Sequence, residues 1–179
     1  MNNCKFITNC SNLINWQEII DSLTGPGLFQ GPPDDWKNKK DSDGNNYYDG
    51  LYKIWVDASM NTDSVKLYNF MPGKDYDDNV TKIMEGILNL TCTESWISKI
   101  NPGCIAPYHW DRHLDLKPTS KRFICHISKP QFGHVFMVEN NFFYDNEVGD
   151  IHEFPNVLSV HAGANVGLKP KFLYHFLGY

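Results

Sequence analysis

His109 and Asp111 stand two apart in the run His109-Trp110-Asp111. His161 follows fifty residues after Asp111, and Lys171 ten residues after that. Two imidazoles and one carboxylate can hold Fe(II) on one face and leave the opposite face open. An open face on ferrous iron is where dioxygen chemistry takes place, so these residue types point to an oxidative enzyme. In a β-strand, positions i and i+2 project to the same side. His109 and Asp111 are therefore expected to face one interior together, with Trp110 facing away.

A second tripeptide of the same form, His113-Leu114-Asp115, offers a competing register. The flanks favour the first. Trp96 to Ile100 reads as a strand and Asn101-Pro102-Gly103 as a turn. Cys104 to Asp111 then returns as the next strand, ending on the two ligand candidates. Past Asp111 the chain turns charged, as a loop does, with Arg112, Lys117, Pro118 and Lys121. The distal ligand is open among His126, His134, His152, His161 and His175. Among these, His161 has Asn165 four residues on and a cation, Lys171, ten residues on. Val157 to His161 reads as a strand, Gly163 to Pro170 as a turn and Lys171 to Leu177 as a strand. That arrangement lets Lys171 reach a carboxylate bound to the same metal. The other histidines read as core or surface residues. His109 and His113 are spaced as in a helical zinc-protease motif, but Trp110 stands where that motif needs Glu, and Pro107 argues against a helix. Cys125 and His126 are adjacent and, on a strand, face opposite ways, so they do not make a nucleophile and its base.

The elements that must position these residues fall into two halves. In residues 1–93, Ser11-Asn12 can cap a helix carrying Leu13, Trp16, Ile19, Ile20 and Leu23. A polar stretch from Gly31 to Gly50 with Trp36, Tyr47 and Tyr48 reads as a long loop, either a substrate wall or a surface loop. Strands are expected near 51–57 and 64–70, where they can extend the sheets of the second half. A second helix is expected from Asp78 to Leu90. Residues 94–179 alternate short β-rich runs with turns: 94–100, 104–111, 121–128, 133–139, 142–145, 149–154, 157–162 and 171–177. A tight hairpin is expected at Asn140-Asn141. Such a series predicts a mainly β antiparallel sandwich or barrel, of the jelly-roll and cupin kind, with flanking helices. All 179 residues are expected to form one domain, with the first half packed on the barrel.

Composition narrows the function classes. The chain is 41% hydrophobic and 14% aromatic, enough for a core without staples. A net charge of −5 argues against bulk attraction to nucleic acid or anionic membrane, although Lys117, Lys121 and Arg122 form a small basic cluster. The five cysteines include no CxxC pair, and the first residues lack the apolar run of a signal peptide. No apolar run is long enough to span a membrane. These features predict a cytoplasmic protein with reduced thiols, a compartment that suits a ferrous site.

From about Trp96 to Tyr179 the chain resembles the Fe(II)/2-oxoglutarate-dependent oxygenases. The resemblance is carried by Pro102-Gly103, His109-Trp110-Asp111, Gly149-Asp150 with Phe154, His161-Ala162-Gly163-Ala164-Asn165, and Lys171. Arg122 to Ile127 and Gly133-His134-Val135-Phe136 bring it nearest to the aspartyl/asparaginyl hydroxylase-like branch, which also includes some proline hydroxylases. The resemblance implies a double-stranded β-helix with Fe(II) on His109, Asp111 and His161. It implies 2-oxoglutarate as cosubstrate and O2 as oxidant, with succinate and carbon dioxide released and a C–H bond hydroxylated. Lys171 stands where the family usually has Arg, and Lys makes a point contact where Arg makes a two-pronged one. Arg122 is the competing partner for the far carboxylate of the cosubstrate. His126 is implied at its inner carboxylate, and Asn165 is grouped with these cosubstrate-side residues.

The implied substrate is an amino-acid side chain in a peptide, a protein or a free amino acid. Other readings are an oxygenase acting on a nucleobase, a cupin enzyme using metal without 2-oxoglutarate, and a cupin-like binding protein without turnover.

Overall fold

The computed structural model describes residues 4–23, 28–29, 65–69, 78–111, 113, 116–143 and 145–179. In chain order, the strands and helices are β1 (Lys5–Asn9), α1 (Trp16–Ser22), β2 (Leu28–Phe29), β3 (Val65–Asn69) and α2 (Asp78–Leu88). Then come β4 (Cys92–Ile100), β5 (Cys104–His109), β6 (Lys121–His126), β7 (His134–Val138), β8 (Asn141–Phe143), β9 (Asp150–Glu153), β10 (His161–Asn165) and β11 (Lys171–Gly178).

The strands form two antiparallel sheets. One runs β1-β9-β6-β11-β4-β3-β2 and the other β5-β10-β7-β8. From β4 onward, successive strands go to the two sheets in the order of a double-stranded β-helix, a jelly roll. β1, β2 and β3 extend the larger sheet at its edges.

Side-chain alternation along each strand separates two apolar layers. On β11, Lys171, Leu173 and His175 face between the sheets. Tyr174 and Phe176 face outward, where they join Phe123, Cys125, Trp16 of α1 and Met84 of α2 in one buried cluster. The helices thus cover the outer face of the larger sheet. Between the sheets, Ile124, Phe136, Val138, Phe154 and Leu173 make a second cluster. Antiparallel register aligns Leu173 with His126 of β6 on one side and with Ser98 of β4 on the other. His175 aligns likewise with Ile124 and Trp96. The inner wall is therefore polar toward both ends and apolar in the middle.

Several local expectations shift. The helix cap is Asn15, whose side chain accepts from Glu18 N, and not Ser11-Asn12; Leu13 stays exposed. α2 stops at Leu88 because Asn89 takes a left-handed conformation, φ 52°. The hairpin between β7 and β8 turns on Glu139-Asn140, one residue earlier than expected, with Glu139 at φ 51°. The largest change concerns 157–162. Asn156 and Ser159 bond each other's backbone and side chain into a turn, so the strand begins at His161 and runs through Asn165. Ala-Gly-Ala-Asn has low β propensity, but β10 is paired on both sides, by β5 and β7, and pairing overrides propensity. The strand expected near 64–70 is β3. The strand expected at 51–57 and the loop at 31–50 lie outside the described residues. All five cysteines are free, and among the described residues no helix is long and apolar enough to cross a membrane.

Gly149 ties the N-terminal strand to the barrel. Its N–H donates to His126 O at 2.7 Å and its carbonyl accepts from Cys10 N at 2.9 Å. Its φ is +93°, and an added Cβ would lie 2.5 Å from Ser11 N. Gly149→Ala should therefore lower stability by at least about 2 kcal/mol, through backbone strain and overlap together. Equilibrium urea unfolding checks this, and a loss below about 0.5 kcal/mol would contradict the strain.

Candidate metal centre

β5 and β10 are antiparallel neighbours, and their register sets His161 directly opposite His109. The two rings face the same interior, with centroids 4.3 Å apart. Asp111, just past the end of β5, brings its carboxylate in beside them. His109 Nε2 lies 3.4 Å from Asp111 Oδ1, and His161 Nε2 lies 3.5 Å from Oδ2. One ligand atom from each residue falls within 4.8 Å of the others. An ion about 2.1 Å from each donor needs cis donors about 3 Å apart. Each Nε2 lies close to that distance from an Asp111 oxygen, but the two contacts end on different oxygens, so the carboxylate must turn for one oxygen to serve both.

The second ring nitrogens are committed. His109 Nδ1 is 2.6 Å from Pro107 O, and His161 Nδ1 is 3.2 Å from Ser159 O. A carbonyl only accepts, so both Nδ1 atoms carry a proton and both Nε2 atoms point toward the carboxylate. Burial holds His161 neutral, well below the usual imidazole range, helped by the positive Arg122. For Asp111, burial opposes ionisation, but the adjacent Arg122 guanidinium outweighs it and holds the carboxyl well below its ordinary range. Two imidazoles whose Nδ1 atoms are taken up by backbone carbonyls, beside one ionised carboxylate, are a donor set that suits a divalent ion, so these residues fit one.

Arg122 is the unexpected member. It is fully buried on β6, and its Nη2 is 2.5 Å from Asp111 Oδ2, 3.3 Å from His161 Nε2 and 3.4 Å from His175 Nδ1. Its guanidinium carbon lies 4.5 Å from the Phe154 ring centroid and 5.4 Å from that of Trp96. His175 stacks on Trp96 at 4.7 Å and 5°, with its Nε2 2.9 Å from Ser98 Oγ. Because Arg122 donates to His175 Nδ1, the Nε2 proton of His175 donates to Ser98. His175 was expected in the core or on the surface. It lines the cavity at His109, Asp111 and His161. Strand alternation carries the signal that finds it, since Lys171, Leu173 and His175 share one face of β11.

Lys171 and His126 sit at the opposite end of the same interior. Both line a second cavity, and Leu173 lines both cavities. Each cavity is about 20 Å³, room for roughly one water molecule. Lys171 Nζ donates to Val135 O at 2.6 Å, and burial lowers its pKa to about 7. Burial, with the nearby Lys171 charge and His152, lowers His126 to about 3, and its Nε2 has no partner among the described residues. Asn165 is wholly buried, with its amide nitrogen donating to Ile100 O at 2.9 Å and Lys169 O at 2.8 Å. Its Oδ1 accepts from Gly167 N at 3.0 Å. The Asn165 side chain is thus spent on shaping the turn that delivers Lys171.

In the competing tripeptide, His113 faces Glu94 at 3.0 Å, while Leu114 and Asp115 lie outside the described residues. The basic cluster does not form one surface. Lys117 sits over the Tyr179 ring, Lys121 pairs with Glu153 at 3.3 Å and Arg122 is inside.

No family model and no curated protein matches this chain. Among solved structures, it is similar to the viral collagen prolyl hydroxylase of Paramecium Bursaria Chlorella virus-1, at 16% identity over 70% of this chain and 87% of that one, with a TM-score of 0.47. It is similar to a Pseudomonas putida prolyl-4-hydroxylase at 15% identity over 64% and 71%, TM-score 0.47. A predicted oxalate decarboxylase of Thermotoga maritima matches at 12% over 64% and 79%, TM-score 0.40. These matches include hydroxylases and a decarboxylase and select no single reaction.

Asn165→Ala should remove the side-chain partner of Ile100 O and Gly167 N and one of the two donors to Lys169 O, which keeps His134 Nε2 at 3.0 Å, at a cost of about 2 kcal/mol in unfolding free energy. Thermal and urea unfolding measure it, and a loss under about 1 kcal/mol would show that the turn holds itself.

Proposed function

We propose that the chain is an Fe(II)- and 2-oxoglutarate-dependent dioxygenase that hydroxylates an amino-acid side chain in a peptide, a protein or a free amino acid. The observation that carries this reading is the convergence of His109 Nε2, Asp111 and His161 Nε2, with both Nδ1 atoms tied to backbone carbonyls. Bound there with the keto acid and dioxygen, Fe(II) supplies oxidative decarboxylation to succinate and hydroxylation of a nearby C–H bond. The protein holds the ligands in the right tautomer, excludes water and orients the acid.

The placement of the two cations divides their roles. Arg122 stands at the three ligands and Lys171 at the far end of the interior, beside His126. Lys171 therefore takes the far carboxylate of 2-oxoglutarate, and His126 offers a neutral ring beside it. The acid would pass Leu173, and the narrow cavities require side chains to give way as it enters. Free thiols and a ferrous site suit the cytoplasm.

Succinate release from a panel of amino acids and peptides tests the reading. Release that depends on Fe(II) and is lost in His161→Ala is expected. Metal binding with no 2-oxoglutarate consumption on any substrate would favour a cupin enzyme or binding protein that does not use the keto acid. Lys171 is cationic below about pH 7 and neutral above it. The 2-oxoglutarate KM should therefore rise as pH increases from about 6 to about 9, and should stay flat in Lys171→Arg, whose guanidinium keeps its charge. Lys171→Ala should raise that KM by at least about ten-fold, and by more than Arg122→Ala does. The reverse order would move the far carboxylate to Arg122.

A further inference from the structure

The buried hydroxyl of Ser98 has a proton to give into the barrel. Its Oγ lies 2.9 Å from His175 Nε2, and Nδ1 of the same ring faces Arg122 Nη2 at 3.4 Å. A guanidinium has no lone pair to offer, so His175 keeps its lone pair on Nδ1 and its proton on Nε2. Ser98 Oγ is therefore the acceptor in that bond, and its own proton goes elsewhere. Among the described residues no carbonyl, carboxylate or ring nitrogen takes it. Buried polar hydrogens are normally accepted by something.

Ser98 lines the cavity at His109, Asp111 and His161. Along β4, Trp96 aligns with His175, Ser98 with Leu173 and Ile100 with Lys171. Ser98 thus stands between the metal ligands and the Lys171 end, level with the leucine that lines both cavities. A ligand that reaches from one end to the other passes this hydroxyl. Around it the wall is Ile100, Ala106, Phe136, Gly163 and Leu173, whose side chains carry no hydrogen-bond donor.

A chain of hydrogen bonds sets the direction of the Ser98 proton. Arg122 Nη2 donates to Asp111 Oδ2 and to His175 Nδ1, and His175 Nε2 donates to Ser98 Oγ. Each bond polarises the next, and the last one leaves the Ser98 O–H pointing away from the ring. Stacking on Trp96, at 4.7 Å and 5°, holds the His175 ring in place.

We propose that Ser98 is a binding residue for the keto acid. Its hydroxyl donates a hydrogen bond to an oxygen at the metal-side end of 2-oxoglutarate, and Arg122 and His175 aim it. Those two are positioning residues in this role. The inference rests on the metal site and the cosubstrate proposed above.

Mn(II), which is stable in air at neutral pH, is the probe metal. Isothermal titration calorimetry gives two constants: the Kd of Mn(II) for the protein, and the Kd of 2-oxoglutarate for the Mn(II)-loaded protein. Ser98→Ala should raise the 2-oxoglutarate Kd at least about ten-fold, as the loss of one hydrogen bond to a charged acceptor does, and change the Mn(II) Kd less than about two-fold. His175→Phe keeps a ring against Trp96 and loses both hydrogen bonds. It should raise the 2-oxoglutarate Kd at least about three-fold, and adding Ser98→Ala to it should cost less than about four-fold more. Residues acting independently would instead multiply their effects. Should either variant fail to fold, Ser98→Cys, whose thiol is a weak donor, decides by the same two constants. A side chain that only packs the wall would leave both constants unchanged or weaken both together. Either of those results would overturn the assignment and leave the metal site standing. Wild-type protein that binds Mn(II) but not 2-oxoglutarate would overturn the cosubstrate reading and this inference with it. Failure of the wild type to bind Mn(II) would overturn the metal site as well.

Discussion

Asp111 is a carboxylate enclosed among nitrogen-bearing side chains, and the interior of the barrel is arranged around keeping it charged. An isolated carboxylate in such a place would take up a proton, because burial penalises the anion. Arg122 prevents that, with its guanidinium against Oδ2. The arrangement suits a divalent ion because the anion is present and both Nδ1 atoms are tied to backbone carbonyls, with Nε2 turned toward the site. Phe154 and Trp96 lie against the guanidinium inside the barrel, so its position is part of the packed core.

Strand pairing delivers the rest. The β5–β10 register puts His109 and His161 face to face, and the carbonyls of Pro107 and Ser159, each two residues before its histidine, fix the tautomers. Gly163, on β10 and facing the same interior, has no room for a side chain. An added Cβ would meet Ile100 Cδ1 at 2.7 Å. β11 spans the length of the interior, with His175 near the ligands, Leu173 in the middle and Lys171 at the far end. Two positive side chains, Arg122 and Lys171, are thus held apart within one barrel.

The barrel strands were legible because each is short, apolar on alternate residues and bounded by turn residues. His109, Asp111, His161 and Lys171 were legible as residue types in order along the chain. Three features were not. β10 carries Ala-Gly-Ala-Asn, which has no strand signature of its own and is a strand only because two neighbours pair with it. β1 is short, and its outward residues are exposed, so its pairing with β9 is set by tertiary contact. Arg122 read equally as a surface cation beside Lys121 or as a cosubstrate partner. Only the inward face of β6, with Ile124 and His126, places it at Asp111. Asn165 stood out by its spacing from His161, and its amide is engaged with the backbone of the turn that leads to Lys171.

The central claim is that one ion sits among His109, Asp111 and His161. Anomalous diffraction at the iron edge, from crystals grown anaerobically with Fe(II), measures it directly. The account predicts a single peak about 2.1 Å from His109 Nε2, His161 Nε2 and one Asp111 oxygen. A peak elsewhere, or a map with none while Arg122 remains on Asp111, would contradict it.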